Sequence, residues 1–121
     1  MAKDLGISVL LDFYGDMLTE KQRDVVELYY NEDLSLAEIA EHSGITRQGV
    51  RDSIKRAEAQ LKEYEERLGL AKRFNAMGEG LEEIQRLARE ASAANRRRGN
   101  DHEIERNLTE IGTIAARLGD L

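Results

Sequence analysis

Cysteine, proline and tryptophan are absent from this 121-residue chain. Without cysteine there can be neither a disulfide framework nor a thiolate zinc site. The two histidines, His42 and His102, are far apart and make no H-E-x-x-H spacing, so no metal or cofactor is expected. The lack of proline, with aromatics at 5% and charged residues at 35%, favours helices joined by glycine and polar turns over sheet. Apolar runs are short, and the one from Ile7 to Leu11 is already broken by Ser8. Nothing reads as a signal peptide or a membrane span, so the expected location is the cytoplasm. Catalytic patterns are missing as well: there is no G-x-S-x-G, no P-loop, and no His–carboxylate pair at helical spacing. An enzyme is the least expected class.

What is present is charge, unevenly placed. The net charge is −6, yet residues 1–45 hold three basic and ten acidic side chains, while 46–121 hold fifteen and fourteen. Such a balance argues against strong nonspecific coating of nucleic acid, which grows with the number of phosphates neutralised. A local basic face is still compatible with it.

Helical periodicity organises the chain. Leu5, Val9, Leu10, Phe13 and Leu18 predict a short first helix with an apolar side, ending near Gly15. Thr19-Glu20-Lys21-Gln22 and Ser35-Leu36-Ala37-Glu38 each have the form of a capping box, predicting helices that start at both points. Thr46 supplies a third N-cap for a long helix carrying Val50, Ile54, Ala57, Leu61, Tyr64 and Leu68 on one side. Gly69 and Gly78-Glu79-Gly80 predict a bend or break between about 69 and 80. Beyond it, one stripe of Leu81, Ile84, Ala88 and Ala91 and another of Ile104, Leu108, Ile111, Ala115 and Leu118, the second capped by Asn100 and facing inward, predict an antiparallel hairpin. The expected architecture is all-α. Residues 1–69 form a helix-turn-helix domain, with its motif at 36–55 and a long helix from 46. Residues 70–121 form a helical extension that could serve as a dimerisation hairpin.

The informative stretch is LAEIAEHSGITRQGVRDSIK, from Leu36 to Lys55. Ala40 is small enough for a helix to cross closely, and Gly44 suits a left-handed turn. Ile45 and Val50 are expected to join the two helices in a shared core. This is the spacing of a DNA-binding helix-turn-helix, whose second helix enters the major groove. Thr46, Arg47, Gln48, Arg51, Asp52 and Lys55 are the candidate nucleic-acid-binding residues, and residues 46–62 carry a local net charge of +3. An ordinary αα-hairpin with a solvated face is the bland alternative.

LTEKQRDVVELYYNEDLSLAEIAEHSGITRQGVRDSIKRAEAQL resembles the C-terminal domain of sigma factors, in which a helix-turn-helix binds the minus-35 element. More narrowly, DFYGDMLTEKQRDVVELYY, DLSLAEIAEHSGITRQGVRDSIKRAE and YEERLGL resemble the YlxM-type helix-turn-helix family of small bacterial proteins. That resemblance implies a helical fold, dimerisation, and a link to the signal recognition particle pathway. On matching positions, it places Arg47, Gln48, Arg51, Asp52 and Lys55 on the exposed side of the recognition helix. No segment corresponds to the sigma domain that grips polymerase and melts promoters, so a complete sigma factor is not expected. Ser53 also stands where many small sigma factors place an arginine.

Three functions are compatible with these residues. One is a DNA-binding regulator, a homodimer on duplex DNA. Another is an accessory factor for signal recognition particle RNA or protein, and the last a protein-interaction module, for which the acidic first 45 residues speak. Arg96-Arg97-Arg98 is read as complementing a helix C-terminus rather than gripping phosphate, and Tyr29 as core packing rather than base stacking.

Overall fold

The computed structural model describes residues 3–121, and among them the secondary structure is helical throughout. Six α-helices follow in order: α1 (Gly6–Tyr14), α2 (Glu20–Tyr30), α3 (Leu36–Ser43), α4 (Arg47–Leu68), α5 (Leu70–Arg97) and α6 (His102–Gly119), with a 3-10 turn at Gly15–Met17. The chain divides into two compact units, the first ending at Ala71 and the second running Lys72–Leu121.

Local hydrogen-bond chemistry starts the helices of the first unit. Both capping boxes form: the Gln22 amide donates to Thr19 Oγ1 at 3.2 Å and the Glu38 amide to Ser35 Oγ at 3.1 Å. The Gln22 and Glu38 side chains return the bond to the cap amides at 3.2 and 3.1 Å. Each box satisfies two amides that a helix start leaves without partners. Accepting from the Ser35 amide, and then from its hydroxyl, holds the Glu38 carboxyl below the usual carboxylate range. α3 ends at Gly44 and α4 at Gly69, both left-handed with φ of 69° and 63°, where a side chain would be strained.

α1, α2 and α3 each pack on α4. Ile7, Leu11, Tyr14, Leu18 and Val26 surround Ala57 and Leu61, and Val25, Tyr29, Ile39 and Ala40 surround Val50 and Ile54. α4 is thus the central post of the unit: its one apolar stripe is fully buried from Val50 to Leu61 and its opposite side is free. The α1 side that enters this core overlaps the expected one in part: Leu18 is buried and Leu10 and Phe13 pack against the cluster as expected. Ile7, Leu11 and Tyr14 point inward, whereas Leu5 and Val9 are exposed. α1 is apolar nearly all round, so the sequence alone does not select a side; packing against α2 and α4 does. Ile45 is likewise 45% exposed, so Val50 alone carries the joint expected of both.

In the second unit α5 and α6 make an antiparallel hairpin. Ser92 Oγ donates to Glu105 Oε1 at 2.6 Å, Arg96 Nη2 donates to the same oxygen at 2.9 Å, and Asn95 Nδ2 donates to the Asp101 carbonyl at 2.9 Å. The break expected between 69 and 80 occurs only at Gly69. α5 continues through Gly78 and Gly80, because each costs a helix interior only about 1 kcal/mol and 28 residues of hydrogen bonding absorb it. The cap of α6 is Asp101, not Asn100: Asp101 Oδ1 accepts from the Glu103 and Ile104 amides at 2.9 and 3.1 Å, and Asn100 sits left-handed at φ 54° in the connecting turn. The apolar stripe of α6 is less inward than expected. Only Ala88 and Ala115 are buried, and Ile84, Leu87, Ile111 and Leu118 remain more than 40% exposed. Two helices meeting through alanine cannot cover larger side chains on either flank.

Candidate nucleic-acid interface

The candidate site is the solvent side of the α3–turn–α4 segment. Gly44 reverses the chain after α3, and Thr46 then takes extended backbone (φ −73°, ψ 158°) and caps α4, its Oγ1 accepting from the Gly49 amide at 3.0 Å. That bond occupies an acceptor position of Thr46, so within the fold its hydroxyl is a cap, with its own proton left to donate. Gly49 keeps the cap tight, since a Cβ there would lie 3.1 Å from Thr46 Oγ1.

From this start, the 3.6-residue period sends Val50, Ile54 and Ala57 into the core and Arg47, Gln48, Arg51, Asp52 and Lys55 into solvent. Five of the six sequence-predicted side chains are therefore on one exposed face, and Thr46 is exposed at its start. Arg56 belongs with them although the motif alone does not single it out: it lines a shallow groove with Asp52, Lys55 and Ala59. Its place beside Lys55 in the basic segment is the signal that could have found it. Lys62 lies farther along α4 and pairs with Asp4 at 3.1 Å. Among the described residues Arg47, Arg51, Lys55 and Arg56 have no ion-pair partner. Asp52 is engaged by Gln48, whose Nε2 donates to Asp52 Oδ1 at 2.9 Å. Four unpaired cations clustered near the start of one exposed helix face are chemically suited to phosphate oxygens, and the amide and carboxylate between them to base edges.

The other two sequence features with a possible nucleic-acid role are placed elsewhere. Tyr29 is buried in the core, edge-on to Tyr30 with ring centroids 5.1 Å apart. Arg96 is drawn to Glu105 across the hairpin. Ser92 and Arg96 together hold the Glu105 carboxyl below its ordinary range. Among the described residues no cluster of side chains could hold a metal ion, and no helix is long and apolar enough to cross a membrane.

The comparisons with known proteins bear on the family to which the chain belongs. Residues 1–99 match the family model described as "Putative helix-turn-helix protein, YlxM / p13 like". The chain is 53% identical over 78 residues to a UPF0122 protein of Desulforamulus reducens, an alignment covering 64% of this chain and 67% of the relative. To a UPF0122 protein of Clostridium kluyveri it is 57% identical over 70 residues, 58% of this chain and 63% of the relative. A longer match, 44% over 107 residues and 88% of both chains, is to a UPF0122 protein of Thermoanaerobacter sp.. With four fifths of its length inside the family model and the helix-turn-helix formed, this chain belongs to the YlxM / p13-like helix-turn-helix family.

Proposed function

We propose that this protein is a non-enzymatic, DNA-binding regulatory protein that lays α4 in the major groove and acts as a homodimer. The observation that carries this is the division of α4 into a buried apolar side and an exposed side with four unpaired cations. Folding holds the helix in place, so its cations meet phosphates without further ordering of the backbone. The acidic remainder of the chain limits attraction to DNA elsewhere and favours approach by this side.

Dimerisation is supported by the second unit. By helical geometry Ile84, Leu87 and Ala91 of α5 fall on the same flank of the hairpin as Ile111 and Leu118 of α6, while Arg89, Ser92 and Arg96 fall on the other with Glu105 and Thr109. An apolar flank on a two-helix hairpin is covered when a second hairpin packs on it. Two recognition helices so joined would read half-sites about one helical turn apart.

The test compares duplex DNA with signal recognition particle RNA in gel shifts at about 150 mM salt, using the intact protein and the R51A/K55A variant. Tight binding of DNA that the double substitution abolishes is the expected result. Retention of RNA in preference to DNA would favour the accessory-factor reading. Failure to retain either would overturn nucleic-acid binding and leave a protein-interaction module.

A further inference from the structure

Gln48 is the second residue of α4, in the turn that a helix-turn-helix presents to base edges. Its amide is already engaged: Nε2 donates to Asp52 Oδ1, one helical turn on, at 2.9 Å. A carboxylate only accepts, so it can face only the NH2 end of a glutamine amide. This contact fixes which end of the amide points along the helix. Consuming the N–H anti to the carbonyl leaves the syn N–H beside the carbonyl oxygen, and neither group has another partner among the described residues. That pair of groups, donor beside acceptor, matches the N7 acceptor and N6 donor of adenine in the major groove; guanine offers two acceptors there and cytosine a donor alone. Holding the amide in one rotamer also lowers the entropy lost on contact.

On this basis we propose that Gln48 and Asp52 form a base-reading pair in which Gln48 selects adenine and Asp52 is a positioning residue that sets the amide's direction. The assignment rests on the reading of α4 as a DNA-recognition helix. Asp52 also explains its own presence on a cationic face: it repels phosphate, so its position is consistent with orienting a neighbour rather than adding affinity. The flanking Arg47, Arg51 and Lys55 then supply the phosphate contacts.

The test is in vitro selection of randomised duplex DNA with the intact wild-type protein, Gln48→Ala and Asp52→Ala, with circular dichroism confirming that both exposed substitutions leave the helix content unchanged. The wild type should select an adenine at one position of each half-site, favoured roughly five- to hundred-fold over other bases. Gln48→Ala should lose that preference. Asp52→Ala should weaken it while overall affinity holds or rises, because a negative charge leaves the phosphate face. If a site is selected but Gln48→Ala changes no position, or Asp52→Ala leaves the adenine preference intact, the pairing is overturned while DNA binding stands. The pairing is overturned in the same way if duplexes are retained with no sequence preference, or with a cytosine dependent on Asp52 alone. If no duplex is retained by any of the three proteins, the DNA-binding reading falls and the pair falls with it.

Discussion

The hydroxyl of Tyr14 donates to Glu65 Oε1 at 2.6 Å and accepts from the Leu70 amide at 3.0 Å, while the same carboxylate oxygen accepts from the Ala71 amide at 3.0 Å. A buried residue of α1 and a carboxylate near the end of α4 thereby serve the first amides of α5, which have no intrahelical partner. Burial, and then Glu65, push the Tyr14 hydroxyl up from its ordinary pKa, which keeps it protonated and donating. Tyr14→Phe should lower Tm by roughly 2–6 °C, the scale of one lost buried hydrogen bond. It should also speed hydrogen exchange at the Leu70 and Ala71 amides more than elsewhere. Uniform acceleration, or none, would contradict the role given to the hydroxyl.

Glycine positions should respond in opposite directions. Gly80 lies inside α5, and a Cβ added there would meet nothing within 4 Å, so Gly80→Ala should stabilise the protein by about 0.5–1 kcal/mol. Gly44 holds the helix-turn-helix corner at φ 69°, and Gly44→Ala should destabilise by about 1 kcal/mol. Urea midpoints measured in parallel on both variants check the signs.

Alkaline pH should loosen the first unit. Burial, opposed by the bond from the Asp4 amide and reinforced by Glu58, leaves the Tyr30 hydroxyl with a pKa pushed up to about 12, and its proton is donated to Glu58 Oε1 at 2.8 Å. The folded state therefore retains a proton that the unfolded chain releases near pH 10, so stability falls as pH rises through that interval. Melting temperature followed between about pH 9 and 11.5 should decline more steeply for the wild type than for Tyr30→Phe. Parallel slopes would sink this assignment.

Much of the fold is legible in the sequence where local chemistry decides it. Thr19–Gln22 and Ser35–Glu38 announce their helices by hydrogen bonds made within four residues, and Gly44 announces its turn by the conformation it alone adopts freely. The buried stripe of α4 is equally readable, because its other side is polar. α1 is not, since apolar residues surround it and only the tertiary partners choose among Leu5, Ile7, Val9 and Leu11. Of the candidate site, the exposed cations of α4 follow from periodicity. The Gln48–Asp52 contact is visible only once rotamers are placed.

The hairpin flank offers a separate check on self-association. Ile111 is 45% exposed, so Ile111→Glu should leave the monomer folded while charging the apolar flank. Light scattering should give a dimer for the wild type and a monomer for this variant. A wild type that is monomeric at working concentration would remove the dimer from the proposal.

The most direct measurement of the central claim is the salt dependence of DNA affinity. Removing a cation that touches phosphate lowers the slope of log K against log salt by about 1, because one fewer counterion is released. Arg51→Ala and Lys55→Ala should each reduce the slope by about that amount, whereas Arg86→Ala, outside α4 and paired with Glu83 and Glu90, should not. Slopes that are the same for all four proteins would mean that nucleic acid does not lie on the exposed side of α4.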